Sequence, residues 1–244
     1  MPYIEKITRA GRSVLYERTY TTHIHPKGMK RAEKCKKTTE AQLKVNVRKA
    51  AREMTILMNE NFKGGDYHVT LTYDKHHRPE DIKEAHKDRS RFIKCINRKK
   101  RENVKYIMVT EVGTRGALHH HLVIQQIPVD WITKSWPAGR VDIRPLDDTG
   151  QYSRLAEYFA KYIFSFRKKG GTGRGYTRSK NNLRRPETKI RIVRDRGYFR
   201  EEPREKKGYY LDKDTVRAGI SEFSGYSFLR YILVKSNREG RASP

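Results

Sequence analysis

The sequence contains little cysteine, few acidic residues beside its basic ones, and no long apolar segment. Its two cysteines, Cys35 and Cys95, do not suggest a disulfide framework or a cysteine-based zinc site. No apolar run approaches the roughly 20 residues of a membrane-spanning helix. The N-terminus also lacks the apolar segment of a signal peptide. We therefore expect a protein of the reducing cytoplasm.

Basic residues are abundant. The chain of 244 residues has 55 Lys and Arg residues against 28 Asp and Glu residues, a formal charge of +27. A field of that sign attracts polyanions and makes their binding salt-dependent. The composition therefore indicates a nucleic-acid partner. By itself it would also fit a protein that only coats nucleic acid.

The segment Tyr106–Ile124 carries the most specific pattern, two apolar strands joined by a glycine-containing turn. His119 and His121 are one residue apart on the second strand, so their side chains point to the same face. If the hairpin pairs odd positions with odd positions, Glu111 lies on that face as well. Two imidazoles and one carboxylate can hold a metal ion and leave positions open for substrate and water. This arrangement is typical of an active site.

Other histidines compete for the same role. His120 points to the opposite face, where it is either a partly buried polar residue or a DNA contact, and a slipped register would make it the ligand instead. The pair His23 and His25 also has His-x-His spacing, but it stands before Pro26 in a predicted loop. We therefore favour His119 and His121.

A helical pattern over Leu155–Ile163 places Tyr158, Lys161 and Tyr162 on one face. A tyrosine hydroxyl has an ordinary pKa of about 10, so a nucleophilic phenolate needs positive surroundings. Lys161 supplies such a charge one helical turn after Tyr158. The combination indicates phosphoryl transfer through a phosphotyrosine, with Tyr162 either a second nucleophile or a packing residue.

The sequence resembles the HUH single-strand endonucleases, and among them the rolling-circle replication initiators of small plasmids, phages and related mobile elements. Three motifs occur in the family's order: Tyr67–Tyr73, then Glu111 with His119 and His121, then Tyr158–Tyr162. The segment Asn182–Lys189 is similar to one found in initiators of Gram-positive bacterial elements. The resemblance covers residues 66–193 and implies an α+β fold, with an antiparallel sheet in a ferredoxin-like core backed by helices.

The resemblance also implies a reaction. A divalent metal, Mg²⁺ or Mn²⁺, would be held by Glu111, His119 and His121, while Tyr158 attacks single-stranded DNA or an extruded origin hairpin. The resulting 5′-phosphotyrosine can rejoin strands, and the freed 3′ hydroxyl can prime synthesis. A helicase and a polymerase are the expected protein partners.

Two alternatives stay open at this point. A relaxase-like or transposase-like HUH nuclease would use the same chemistry, although relaxases place the tyrosine ahead of the histidines. A non-catalytic nucleic-acid-binding regulator would explain the charge without requiring this order of motifs.

The remaining patterns predict a hairpin over Tyr3–Tyr20, helices over residues 39–59 and 80–100, and a strand over residues 66–73. Late strands are predicted at Lys189–Val193 and Tyr198–Phe199, a short turn or helix at Thr215–Gly219, and disorder over residues 238–244. This predicts three parts: an N-terminal hairpin and basic helix (1–65), the catalytic core (66–166) and a basic extension (167–244) packed on the same domain. The residues predicted to contact DNA are Arg115, Arg167, Lys168, Lys169 and Arg174.

Overall fold

The computed structural model describes residues 3–20, 40–113, 116–168, 176–193, 202–222 and 224–236, without the side chains of residues 41, 42 and 166–168. These residues form four helices, namely α1 (Glu40–Asn61), α2 (Ile82–Lys100), α3 (Val129–Lys134) and α4 (Ser153–Lys168). They also form ten strands, namely β1 (Tyr3–Ala10), β2 (Ser13–Tyr20), β3 (Tyr67–Tyr73), β4 (Tyr106–Val112), β5 (Leu118–Ile124), β6 (Gly139–Pro145), β7 (Tyr176–Arg178), β8 (Thr188–Val193), β9 (Tyr209–Ile220) and β10 (Ser227–Lys235). None of the described helices is both long and apolar enough to cross a membrane.

The chain divides into two compact units, each with one antiparallel sheet of five strands. The first unit comprises residues 1–49 and 186–244, and the second comprises residues 50–185. The predicted three-part division does not coincide with these units. Strands of the predicted parts 1–65 and 167–244 pair in one sheet, so these two parts of the chain contribute to the same unit.

The first sheet has the strand order β8-β1-β2-β10-β9. The predicted hairpin of β1 and β2 is confirmed and turns at Gly11 and Arg12. The strand predicted at Lys189–Val193 is confirmed as β8, which pairs with β1. Val14, Leu229, Tyr231 and Leu233 form a buried apolar cluster on this sheet.

The turn or helix predicted at Thr215–Gly219 is wrong, because these residues belong to β9. Strand β9 pairs with β10 through a register irregularity and leaves many polar side chains exposed. An edge strand tolerates such residues since one of its edges faces solvent. The predictions for Tyr198–Phe199 and residues 238–244 lie outside the described residues.

The second sheet confirms the α+β fold with a ferredoxin-like core. Its elements follow the order β3-α2-β4-β5-α3-β6, and its strands lie in the order β6-β3-β5-β4, with β7 beside β4. That connectivity and spatial order are those of the split βαβ, ferredoxin-like arrangement. Helices α1, α2 and α4 appear where the sequence pattern predicts them.

Strand β6 and the short helix α3 were missed in the sequence, although residues 140–144 alternate polar and apolar side chains. Gly139 fixes how β6 begins beside β3. Its φ is +151°, and a Cβ atom there would lie 2.2 Å from the Thr72 carbonyl oxygen. Only glycine fits this close approach, so Gly139 sets the pairing of β6 with β3.

Helices cover both faces of the second sheet. On one face α2 and α3 bury a cluster that includes Leu71, Phe92 and Trp136. On the other face the C-terminal half of α1 and helix α4 bury a cluster that includes Met58, Val109 and Phe159. Alternate residues of β3, β4 and β5 therefore point into different layers.

His120 is fully buried in the layer of α2. Its two ring nitrogens lie 3.0 Å from the Tyr73 hydroxyl and 3.0 Å from the Thr110 hydroxyl. Arg89 donates a further hydrogen bond to Thr110. Burial lowers the pKa of His120 to about 3. The ring is thus a neutral, hydrogen-bonded core residue.

We expect His120→Leu to lower the free energy of unfolding at pH 7 by about 1–3 kcal/mol, because two buried hydroxyls lose a partner. The pH dependence should change as well. Above the ordinary pKa of about 6.5 the ring is neutral in both states, whereas below it the unfolded state binds a proton that the folded state does not. Wild-type stability should therefore fall between about pH 6.5 and pH 3, and the variant should fall less. Urea unfolding at pH 7.5 and pH 5 measures both effects.

The exposed His76 provides the control. His76→Leu should leave both the stability and its pH dependence unchanged. Equal pH dependence in wild type and His120→Leu would contradict the assignment of a depressed His120 pKa.

Candidate active site

The pairing of β4 with β5 brings the predicted metal ligands to one face of the sheet. Glu111 of β4 lies directly opposite His119 of β5, and His121 follows on the same face. That face is the one on which α4 packs, since it also carries Val109 and Val123. His120 lies on the other face, as the unslipped register predicts.

Glu111 and His121 are in direct contact. The Glu111 Oε2 atom lies 2.8 Å from the His121 Nε2 atom, and His121 is almost completely buried. Burial lowers the pKa of His121, while the hydrogen bond to Glu111 opposes that change. His121 is therefore neutral at neutral pH, the form in which imidazole binds a metal.

Two threonines of β3, the strand that pairs with β5 on the side away from β4, contact the histidine rings. The Thr70 hydroxyl lies 3.2 Å from Nδ1 of His121, and the Thr72 hydroxyl lies 3.2 Å from Nδ1 of His119. A hydroxyl can donate to a bare Nδ1 or accept from a protonated one. Each threonine can therefore keep its ring oriented in both tautomers, with Nε2 left for another partner.

Among the described residues, no three His, Cys, Asp or Glu side chains are arranged as a ready-made metal cluster. The atoms of Glu111 and His121 are nevertheless spaced as two ligands of one divalent ion would be. Ligand atoms that each lie about 2.1 Å from one ion in octahedral geometry are about 3 Å apart, close to the 2.8 Å between Glu111 and His121. The second ring nitrogen of a metal-binding imidazole is usually hydrogen-bonded, and here the Thr70 and Thr72 hydroxyls are the partners. Glu111, His119 and His121 are the residues that could hold the ion.

Helix α4 places the predicted tyrosines against this group. Ala156, Phe159 and Ile163 are buried in the core beneath the helix. Tyr158 and Tyr162 lie one turn apart beside them, and Tyr158 is 38% exposed. The amphipathic spacing of the helix thus fixes its apolar side in the core and holds both phenols at the edge of the site.

Both phenol rings touch His121. Tyr162 stacks on the imidazole with ring centroids 4.8 Å apart, and Tyr158 meets it edge-on at 5.4 Å. The two phenol rings are themselves 4.5 Å apart. A substrate phosphate bound beside His121 would therefore lie near both hydroxyl-bearing rings.

The environments of the two phenols differ. Burial, a hydrogen bond with Tyr158 and the charge of Glu111 raise the pKa of Tyr162 above its ordinary value. Ionised Tyr162 is thus scarce at neutral pH.

Lys161 is exposed, and among the described residues no carboxylate forms an ion pair with it. Its charge is therefore available to a phosphate or phenolate.

His68 is a neighbour that sequence reasoning missed. It lies on the site face of β3, with its ring 6.0 Å from that of His121 and 6.4 Å from that of Tyr158. Burial lowers its pKa to about 4. The alternation of Tyr67–Tyr73 places His68 on the same face as Thr70 and Thr72, but only the pairing of β3 with β5 shows that this face carries the site.

The residues predicted to contact DNA cannot be placed. Arg115, Lys169 and Arg174 lie outside the described residues, and so do the side chains of Arg167 and Lys168 at the end of α4. The competing pair His23 and His25 lies outside them as well.

Comparison with known families agrees with this geometry. Residues 66–165 match the family model of the replication-associated protein ORF2/G2P. The matched range begins just before β3 and ends within α4, so it contains the ligand group and both tyrosines. The match supports a replication initiator. Comparisons with curated proteins and with solved structures gave no match.

The threonine contacts generate a prediction that needs no DNA. Thr70→Val and Thr72→Val keep the β-branched shape but remove the hydroxyl that orients a histidine. Loss of such an outer contact typically costs 10–100-fold in metal affinity. We expect each variant to weaken Mn²⁺ binding by about that factor, measured by electron paramagnetic resonance of free Mn²⁺.

Thr177→Val in β7 is the matched control, because it makes the same change on a strand away from the ligand group. It should bind Mn²⁺ like the wild type. Wild-type affinity in both Thr70→Val and Thr72→Val would show that the hydroxyls do not orient the ligands.

Proposed function

We propose that this protein is a metal-dependent endonuclease of the HUH type that nicks single-stranded DNA at a specific site and initiates rolling-circle replication. The observation that supports it most is the contact of both α4 tyrosines with His121, which itself hydrogen-bonds Glu111. A tyrosine, two imidazoles and a carboxylate on one face suit phosphoryl transfer better than passive binding. The basic composition suits a DNA substrate.

Glu111, His119 and His121 would hold Mg²⁺ or Mn²⁺. Such an ion, when bound, polarises a phosphate oxygen and stabilises the charge that develops during displacement. The protein's part is to keep the three donors on one face, and Thr70 and Thr72 orient the two imidazoles for this purpose.

Tyr158 is the proposed nucleophile. Its hydroxyl oxygen forms a bond to the scissile phosphorus while the bond from phosphorus to the 3′ oxygen breaks. The phenol loses its proton, and the departing 3′ oxygen gains one to become a hydroxyl. The bond energy is kept in the phosphotyrosine, so attack by a 3′ hydroxyl reverses the step and rejoins strands.

Two features support Tyr158 over Tyr162 for this first step. Tyr158 is the more exposed phenol, and the raised pKa of Tyr162 disfavours its phenolate. Tyr162 remains in contact with Tyr158 and His121, so it is placed for a second transfer. Lys161 would offset negative charge on the phosphate or on the phenolate.

Removing a metal ligand should separate cleavage from binding. We expect His119→Ala and His121→Ala to reduce nicking to the level of chelator-treated protein, while affinity for single-stranded DNA changes little because many phosphate contacts contribute to it. Nicking is followed on pooled labelled oligonucleotides with Mn²⁺, and binding is followed by fluorescence anisotropy.

His86→Ala, in α2 on the other side of the sheet, is the control and should nick normally. Full nicking by His119→Ala/His121→Ala in chelator would refute the metal assignment. Retained binding with no nicking by the wild type on any oligonucleotide would favour the alternative of a non-catalytic regulator.

The nucleophile can be tested by removing one oxygen at a time. Tyr158→Phe should abolish the covalent DNA adduct and leave the fold intact, whereas Tyr162→Phe should leave the first cleavage largely unchanged. Lys161→Ala should slow cleavage without abolishing it, because a charge lowers the barrier while the nucleophile is indispensable. Mass spectrometry of the tryptic adduct identifies the linked residue.

Tyr106→Phe is the matched control, since Tyr106 lies on the opposite face of β4 from Glu111. It should form the adduct at the wild-type rate. An adduct on Tyr162 that survives in Tyr158→Phe would reverse the two assignments.

A further inference from the structure

The site face of the second sheet is only half covered by helices. Helix α4 packs on β4, and its apolar cluster includes Val109 of β4 and Val123 of β5. On β3, by contrast, Thr70 and Thr72 are half-buried on this face, while Val69 and Leu71 are completely buried on the other. The face is therefore open over Thr70, Thr72 and β6, whereas His68, at the start of β3, lies against Phe159 of α4.

Strand β6 lines the outer edge of that opening. Its pairing with β3 sets Arg140 beside Thr72, Asp142 beside Thr70 and Arg144 beside His68. Both arginines are exposed, and Asp142 is half-buried between them. We call Thr70, Thr72, Arg140, Asp142 and Arg144 together the β3–β6 surface.

Asp142 holds Arg144 without using all of its donors. The Arg144 Nε atom donates to the Asp142 Oδ2 atom at 3.0 Å, and the Arg144 side chain is 74% exposed. A guanidinium has five N–H donors in a planar fork that suits phosphate oxygens. The terminal nitrogens of Arg144 are thus oriented by the ion pair and free to bind an anion. Among the described residues, no carboxylate forms an ion pair with Arg140.

We propose that Arg140 and Arg144 bind phosphates of the single-stranded DNA that flanks the scissile phosphate, with that strand lying along β6 on the β3–β6 surface. This inference rests on the proposed function and adds the path of the substrate. Adjacent strands are about 4.8 Å apart, so β6 lies roughly 10 Å from the histidine strand β5. At that distance the flanking nucleotides are separate from the scissile phosphate, and they lie on the same face of the sheet.

The spacing of the two arginines suits a nucleic-acid strand. They are four residues apart on β6, which at about 3.3 Å per residue is roughly 13 Å. Stacked nucleotides rise about 3.4 Å each along one strand. Arg140 and Arg144 would therefore contact phosphates several nucleotides apart and hold the strand along β6.

Salt dependence of binding tests the proposal directly. For single-stranded DNA the slope of log affinity against log salt is about −0.7 per phosphate contact. Arg140→Gln/Arg144→Gln should therefore flatten the slope by about 1.4. The measurement uses the full chain in chelator, with a fluorescein-labelled 20-nucleotide pool of random sequence, by anisotropy from about 50 to 200 mM salt.

Helix α2 offers a matched control on the other side of the sheet. Arg91 is 75% exposed and forms a 3.0 Å ion pair with Asp88, and Lys94 is exposed beside it. Arg91→Gln/Lys94→Gln removes the same net charge, so any general loss of attraction appears in both variants. The control slope should stay near that of the wild type.

Equal slopes for the two double variants would overturn the proposal, because the charges would then act only through the net charge of the protein. The proposal would also be overturned if Arg140→Gln/Arg144→Gln weakened the binding of duplex DNA of the same length and left the binding of single-stranded DNA unchanged. Since the measurement needs no cleavage, its result stands whether or not Tyr158 forms an adduct.

Cleavage gives an independent reading where it is observed. Arg140→Gln/Arg144→Gln should raise the DNA concentration needed for half-maximal nicking, and the maximal rate at saturating DNA should stay within about threefold. A large fall in the maximal rate with unchanged half-saturation would assign the arginines to the chemical step and contradict a flanking role.

Discussion

The antiparallel register of β5 between β3 and β4 is the constraint on which the candidate site depends. It sets His119 opposite both Glu111 and Thr72, and His121 opposite Thr70. Side chains alternate along a strand, so a shift of one residue would turn both histidines into the other layer. The contacts of His119 and His121 with Glu111, Thr70 and Thr72 would all be lost in that shift.

The layer of α2 also opposes the shift. His120 is buried there with a hydrogen bond on each ring nitrogen, from residues of β3 and β4. In a register slipped by one residue, one of the imidazoles of His119 and His121 would take the place of His120, and the other would take the place of Leu118 or Leu122 in the apolar cluster of that layer. Leaving a buried polar group unsatisfied costs about 1–3 kcal/mol.

The parts of the site that follow from local periodicity could be predicted, and those that depend on pairing between distant segments could not. Glu111, His119 and His121 share a hairpin, and Tyr158 and Tyr162 share a helix, so spacing alone placed each group on one face. The roles of Thr70 and Thr72 require the register between β3 and β5, which are far apart in sequence. The pairing of β1 with β8 escaped prediction for the same reason. It joins segments about 185 residues apart, and no local pattern encodes it.

The topology also explains why the open half of the site face exists. In the ferredoxin-like order, α2 and α3 are the crossover helices and both pack on the face that buries Leu71 and Phe92. The site face is then left to α1 and α4, which bury the side of β4 and β5. The residues of this face that remain uncovered are Thr70 and Thr72 of β3 with Arg140, Asp142 and Arg144 of β6. In the proposed function, a single strand of DNA would lie on this surface without displacing any apolar side chain, and only β3 would separate it from the histidines of β5.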